Sequence, residues 1–321
     1  MRILFFGTDH FSLASLRRIH GAQNGKLWQR LEVVTPAPAQ RWRSNSRRPP
    51  TAQGVVRGFA EEHGLKIYDA PNSRSIKPCA DDWVPSPQDI RANFDVGVVV
   101  SFGFFLPAEV IDAFPLGALN VHPSMLPKYR GAAPIQHCLM NGDKETGVTV
   151  QRVDPRKFDA GAILSQETAA VEPHDTFLTL SERLAEQGAG QLQQVLEQMQ
   201  ANSLLEREQT NEGVTFAPKI KPQNRVINFG DMTASEIYNK WRGLVAHGGI
   251  AAEYQGKSLK LHELIANPEV PTNTQPGEFF SQGGLLFAAC KDGSVVQLES
   301  VQLEGKKRVS GTDFANGHVK K

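Results

Sequence analysis

The sequence predicts an α/β protein in which a Rossmann-like, mostly parallel sheet domain is followed by a small β-barrel of the OB-like type. Three observations carry this reading. The runs Ile3–Phe6 and Asp95–Ser101 are almost unbroken apolar stretches, as expected of parallel strands covered on both faces, and helical periods stand between them. A long helical pattern over residues 175–200 gives way to the polar stretch 201–213, where the domain boundary is placed. Beyond it come short alternating segments with one helix, a pattern that suits a small barrel. A chain of 321 residues also fits about two domains. The expected division is a catalytic domain at 1–203, a linker at 204–214 and a C-terminal domain at 215–321.

Composition excludes several classes. Hydrophobic residues make up 40% and charged residues 21%, which is globular and not disordered. A formal net charge of +1 argues against wholesale coating of nucleic acid or membrane while leaving room for local basic patches. No apolar run approaches a membrane span, so no membrane partner is expected. Cys79, Cys138 and Cys290 are far apart and contain no CxxC pair, which fits free thiols and predicts neither a disulfide framework nor a zinc site. Met1 and Arg2 lead straight into the first strand, so no cleavable targeting segment is read.

In chain order, Ile3–Phe6 enters the turn GTDHFS and a helix over 12–19. The turn lacks the GxGxxG glycines that cradle a pyrophosphate, so a nicotinamide oxidoreductase is disfavoured. Leu31–Thr35 is a second strand. It opens into a proline-flanked loop, 36–50, carrying Arg41, Arg43, Arg47 and Arg48 around Trp42. Arginines interleaved with an aromatic suit phosphate and base contacts; a solvated surface loop is the alternative. A helix is expected from Val55 to His63 and a loop over 70–90. After Asp95–Ser101, Phe104, Phe105 and Leu106 form an apolar wall, and a helix is expected from Pro107 to Phe114.

The stretch Gly117–Gly131, GALNVHPSMLPKYRG, is the focus of the first domain. Side chains alternate along a strand, so Asn120 and His122 share a face, and Pro123 and Pro127 end the strand where they emerge. An amide beside an imidazole suits acyl-type chemistry, one donating to an oxyanion and the other carrying a proton. The alternative is a polar strand end with an ordinary solvated histidine. Ala133–Met140 is a helix and Gly147–Val153 a strand. Asp159 precedes the small pair Ala160–Gly161, which suits either a close approach to a ligand or a plain turn. Leu180, Leu184, Gly188, Leu192, Val195, Leu196 and Met199 keep a helical period and belong to the core.

In the second domain Thr233 and Glu236 have capping-box spacing ahead of a helix with Ile237, Trp241 and Leu244 on one side. Strands are expected near Ala251–Tyr254, Leu259–Ile265, Leu285–Cys290 and Val295–Leu303, with Asp292–Gly293 turning a hairpin. Lys219, Lys221, Arg225, Lys306, Lys307 and Arg308 lie at the edges of this region; a solvated face is the alternative reading.

The segments NVHPSMLPKYRGAAPIQ, TGVTV and FDAGAIL together resemble the folate-dependent formyltransferases in order and spacing. FFGTDHFSLASL, TFAPKIK and LEGKKRVSGTDFANG extend the resemblance over nearly the whole chain, toward the members that act on tRNA. LEVVT and CKDGSV are similar to animal mitochondrial members, which implies the mitochondrial matrix, with the bacterial cytoplasm as the alternative. The resemblance implies that Asn120, His122 and Asp159 are catalytic. Ser124, Met125, Leu126 and Pro127 match the folate loop, commonly SLLP, and Phe104 and Phe105 are assigned to the same folate site. Met125 in place of leucine conserves volume. Arg41, Arg43, Arg47, Arg48, Lys219, Lys306 and Lys307 would contact tRNA, although the 36–50 loop departs from the Gly/Lys-rich bacterial pattern. The implied reaction moves a formyl group from 10-formyltetrahydrofolate to the α-amine of methionine on initiator tRNA, without a metal and by a monomer. A formyltransferase or hydrolase with another acceptor, such as an amino sugar, shares the first domain, and a catalytically silent RNA-binding protein is a further alternative.

Overall fold

The computed structural model describes residues 1–22, 27–37, 54–70, 83–266, 268, 270 and 273–319. It divides into two compact units: 1–134, 145–170 and 181–218 form the first, and 135–144, 171–180 and 219–321 the second.

The first unit is built on a seven-stranded sheet, ordered β3-β2-β1-β4-β5-β6-β7. The strands are β1 (Arg2–Gly7), β2 (Arg30–Pro36), β3 (Ile67–Ala70), β4 (Val96–Val100), β5 (Ala118–His122), β6 (Glu145–Arg152) and β7 (Ile163–Ala170). The first five are parallel, while β6 and β7 run antiparallel to their neighbours. Chain order reverses between β1 and β4, the place where open α/β sheets leave a crevice at their carboxyl ends. Apolar runs make both central strands, as burial predicts: Ile3, Leu4, Phe5, Val96 and Val98 are fully buried. Phe6 packs edge-on against Trp83, Phe102 and Phe114 at centroid separations of 6.1, 5.4 and 6.2 Å.

The turn after β1 shows why a dinucleotide does not fit there. Asp9 caps α1 (His10–Gly21), and the Ser12 hydroxyl accepts from the amides of Thr8 and Asp9 at 2.9 and 3.0 Å. Those amides are the ones a phosphate would need, and Ser12 is buried over them.

Several helices follow the expected limits, including α2 (Val55–Glu62), α5 (Pro134–Asn141) and α6 (Phe177–Gln200). Two expectations need correction. Within the 70–90 segment expected as loop, residues 71–82 lie outside the described residues, but α3 (Pro87–Asn93) starts inside it. Ser86 caps this helix in a capping box with Asp89, and Pro87 occupies the first turn. Conversely, the helix expected over Pro107–Phe114 shrinks to α4 (Ala108–Ile111), because Gly117 and the strand that follows draw the chain into turns. The strands β3 and β7 were not anticipated. β7 is half exposed and rich in Ser, Gln, Glu and Thr, so it carries no apolar alternation.

The start of the central sheet is tied by one carboxylate. Asp95 accepts from the Arg2 amide at 2.8 Å and from its guanidinium at 3.0 and 2.6 Å. Burial works to raise the Asp95 pKa, but the hydrogen bonds and charge of Arg2 outweigh it and hold the carboxyl below its usual value. A depressed folded-state pKa contributes stability that is present above the unfolded value, about 3.9, and is lost as pH falls through the folded one. Asp95→Asn is expected to cost about 1 kcal/mol at pH 7, about 2–4 °C in Tm. The loss should shrink in melts taken at progressively lower pH below the unfolded value.

The second unit carries an antiparallel sheet ordered β10-β11-β12-β9-β8, with β13 paired to β12. Its strands are β8 (Ile250–Tyr254), β9 (Lys257–Ala266), β10 (Phe279–Gln282), β11 (Leu285–Ala289), β12 (Val295–Leu303) and β13 (Val309–Ser310). This is the β-rich second domain that was expected. Thr233 and Glu236 form the capping box of α7 (Ala234–Leu244), and Asp292–Gly293 turns β11 into β12 with Gly293 at φ +79°. The helix α8 (Gly311–His318), capped by Ser310, was not read from sequence; its Phe314 is buried against Tyr254. No described helix is long and apolar enough to cross a membrane.

Candidate active site

The residues singled out on β5 gain matching partners on β6. Asn120 pairs with Gln151 and His122 with Thr149 across the antiparallel ladder, so four polar side chains share one face of the paired strands. The helix α6 backs these strands closely: a Cβ on Gly188 would lie 2.7 Å from Val121 and 3.0 Å from Val148.

Asn120, His122 and Asp159 are brought together. The Asn120 amide donates to the Val99 carbonyl at 3.0 Å, and its carbonyl accepts from Gln151 at 3.2 Å. Among the described residues its second N–H has no acceptor. His122 is buried, with only 5% of its surface exposed. Its Nε2–H donates to the Tyr129 carbonyl at 3.0 Å, which turns Nδ1 toward Asp159 Oδ1 at 3.6 Å. That distance allows an ion pair with a protonated ring but exceeds a hydrogen bond, so a proton on Nδ1 is not committed to the carboxylate. Asp159 is held separately: Oδ2 accepts from the Gly131 amide at 2.8 Å and Oδ1 from Gln151 at 3.0 Å.

Strained backbone marks the same place. Ser101 after β4, Tyr129 after β5 and Asp159 between β6 and β7 have φ of +43°, +60° and +49°, left-handed values uncommon outside glycine. Ser101 Oγ donates to Asp9 at 2.6 Å, and Thr8 Oγ1 donates to the Phe102 carbonyl at 2.7 Å, joining the carboxyl ends of β1 and β4.

The Ser124–Pro127 loop beside His122 is pinned from below. Thr149 Oγ1 donates to the Ser124 carbonyl at 2.7 Å and accepts from the Leu126 amide at 3.2 Å. Gln166 donates to the Leu126 carbonyl at 2.8 Å, and Ser124 Oγ closes on the Lys128 carbonyl at 2.6 Å. Met125 is half-buried, and the peptide between Leu126 and Pro127 is cis. Of the two phenylalanines assigned to this site, Phe104 is half-buried against Phe102 at 5.0 Å. Phe105 is exposed and stacks edge-on with Phe158 at 5.5 Å, Phe158 being 74% exposed immediately before Asp159.

Sequence reasoning missed Thr149, Gln151, Gln166 and Gln209. A signal for two of them was present: Thr149 and Gln151 stand two apart in GVTVQRV, a polar pair on one face like Asn120 and His122. Gln209 carried none, since it sits in a stretch whose polar composition reads as a linker. That stretch is nonetheless hydrogen-bonded to the first unit: Arg207 exchanges both backbone bonds with Ile163, and Thr215 receives the amides of Tyr129 and Arg130. Arg41, Arg43, Arg47 and Arg48 lie outside the described residues. In the second unit Lys219 is exposed at its start, and Lys306 and Lys307 are exposed in the turn between β12 and β13.

Residues 1–196 match the family described as Formyl transferase, and residues 219–319 match its C-terminal domain. The chain belongs to the formyl transferase family. Among its curated relatives, the mitochondrial methionyl-tRNA formyltransferase of Homo sapiens is 35% identical over 99% of this chain and 78% of its own length. The methionyl-tRNA formyltransferase of Caldicellulosiruptor saccharolyticus is 40% identical over 99% and 97%. The fold recurs in solved structures of other proteins. One is a sugar 3N-formyl transferase, solved in the presence of dTDP and 5-N-formyl-THF; its TM-score is 0.66 at 18% identity, over 96% of this chain and 99% of that one. Another is HypX from Aquifex aeolicus in complex with tetrahydrofolic acid, with a TM-score of 0.64 at 14% identity, over 100% of this chain and 48% of that one.

Proposed function

We propose that this formyl transferase moves the formyl group of 10-formyltetrahydrofolate to the α-amine of methionine carried by initiator tRNA. The observation that carries the reading is the Asn120–His122–Asp159 cluster beside the pinned Ser124–Pro127 loop. It stands in a chain whose full-length relatives are methionyl-tRNA formyltransferases.

The residues present fit a folate co-substrate. Ser124–Pro127 offers a rigid backbone next to the cluster, and Phe104, Phe105 and Met125 offer apolar and aromatic surface for a flat ring. Bound 10-formyltetrahydrofolate supplies an activated formyl carbon and leaves as tetrahydrofolate. When the methionyl amine attacks that carbon, the formyl oxygen gains negative charge and needs donors fixed in advance. Asn120 has an uncommitted N–H for it, and protonated His122 has the Nδ1 edge. Asp159 holds the ring in place and lies near enough to take the amine proton through a water. None of these residues acts as a covalent nucleophile.

Residues 1–203 would carry this chemistry, 204–214 would connect, and 215–321 would hold tRNA through Lys219, Lys306 and Lys307, with Arg41, Arg43, Arg47 and Arg48 of the first domain. We place the enzyme in the mitochondrial matrix, a reading supported by animal relatives named mitochondrial; bacterial relatives make the bacterial cytoplasm the alternative. The second reading, an amino-sugar acceptor, draws on the fold shared with sugar formyltransferases.

The deciding assay offers the purified protein 10-formyltetrahydrofolate with charged initiator tRNA, with an amino sugar, and with no acceptor. Formyl-methionine on tRNA, matched by tetrahydrofolate release, is the expected result. Folate turnover only with the sugar, or with no acceptor, would assign the chain to the alternative.

A further inference from the structure

We infer that Arg130, Gln209 and Gln151 are positioning residues. They form a one-way amide relay that fixes Asn120 with its N–H, and not its carbonyl, toward the reacting formyl oxygen. The inference rests on the reading of Asn120 as oxyanion donor.

An amide side chain can be turned by 180° at almost no cost in shape, so what decides its orientation is the polarity of its neighbours. Here both ends of the chain of bonds have a single polarity. At one end the Arg130 guanidinium only donates; its Nη2 and Nε lie 2.6 and 3.2 Å from Gln209 Oε1. Gln209 must therefore present its amine inward, where it finds the carbonyls of Gln151 at 3.1 Å, Asp159 at 3.0 Å and Gly161 at 2.8 Å. Gln151, whose Oε1 is thus taken, turns its own amine to Asn120 Oδ1 at 3.2 Å and Asp159 Oδ1 at 3.0 Å. Asn120 then has its carbonyl occupied, and its amine faces the Val99 carbonyl, which only accepts.

Turning any one of these amides sets two like atoms face to face. Gln151 is 1% exposed, so water has little access to relieve such a clash. The same relay braces Asp159 at two points, its carboxylate through Gln151 and its left-handed backbone through Gln209. Arg130 is the residue after Tyr129, whose carbonyl orients His122, so all three members of the cluster meet this network.

Gln209→Glu tests the relay with almost no change of shape. The carboxylate still accepts from Arg130 but sets an oxygen against three oxygens, which drives Gln151 to turn and offers its carbonyl to Asn120. The expected result is a kcat reduced by about 10- to 100-fold, short of the about 10²–10³ for loss of an oxyanion donor itself. KM for folate and tRNA should stay within about threefold, because no substrate contact is removed. In an Asn120→Ala background the same substitution should lower kcat by a factor at least about fivefold smaller than in the parent enzyme, since the group it mainly acts through is gone and only its bracing of Asp159 remains. If Gln209→Glu does not fold, Gln209→Ala, which admits water at a half-buried position, is read in the same way. A normal kcat, or an equal fold-loss in both backgrounds, overturns the relay while leaving the site reading intact. A normal kcat for Asn120→Ala alone overturns the site reading and the relay with it.

Discussion

Asn120→Ala lowers kcat by about 10²–10³ without unfolding the protein, the loss expected when one oxyanion donor is removed. The basis is that its second N–H serves no acceptor among the described residues and is the group offered to the reacting oxygen. Losing the bonds to Val99 and from Gln151 with it should lower Tm by a few degrees without unfolding the protein. His122→Gln and Asp159→Asn test the other two members. Glutamine keeps a donor near the Tyr129 carbonyl but removes the titrating ring; asparagine keeps the bonds' geometry around Gly131 but removes the charge facing Nδ1. Both are expected to lower kcat by a comparable factor. Formyl transfer to charged tRNA, with Tm as the folding control, checks all three. Near-normal rates in all three variants would show that the reacting oxygen lies elsewhere.

Gly161→Ala is expected to damage fold and activity together. A Cβ at this buried position would lie 2.0 Å from the Arg152 carbonyl oxygen and 2.8 Å from its carbon. Both are backbone atoms at the end of β6, so relief requires moving the strand that carries Gln151, or the loop that carries Asp159. The cost belongs at or beyond the top of the about 1–3 kcal/mol usual for overpacking, a fall of roughly 6–12 °C in Tm. Activity of the remaining folded protein should fall as well, because Asp159 stands two residues away in a left-handed conformation with no slack. Gly190→Ala is the opposite case. It lies in α6 with nothing near its missing Cβ, and should raise stability by about 0.4–1 kcal/mol. Melting curves of the two variants decide whether Gly161 is kept for space; an unchanged Tm for Gly161→Ala would refute the close approach.

Much of the architecture was legible because its causes are local. Unbroken apolar runs make β1 and β4 whatever surrounds them, and Thr233 with Glu236 starts α7 by bonds spanning three residues. Asn120 and His122 could be placed on one face from strand alternation alone, and Pro123 marked the end of the strand. What escaped was either exposed or distant. β7 has polar side chains and pairs through its backbone, which any sequence can do. α8 is a two-turn helix held by packing of Phe314, not by propensity.

The partners of the site are a matter of tertiary structure. Gln151 meets Asn120 across 31 residues, Gln209 meets Gln151 across 58, and Arg130 meets Gln209 across 79. A glutamine has no intrinsic preference for which end of its amide faces which neighbour, and nothing in its flanking sequence supplies one. The chain alone therefore settled the fold class, the strand that bears Asn120 and His122, and the family resemblance. Folding decided that a polar segment after α6 returns to β6, and that the orientation of each amide is set by an arginine at one end and a backbone carbonyl at the other. Hydrogen-bond polarity is a property of pairs, and those pairs exist only once the sheet has formed.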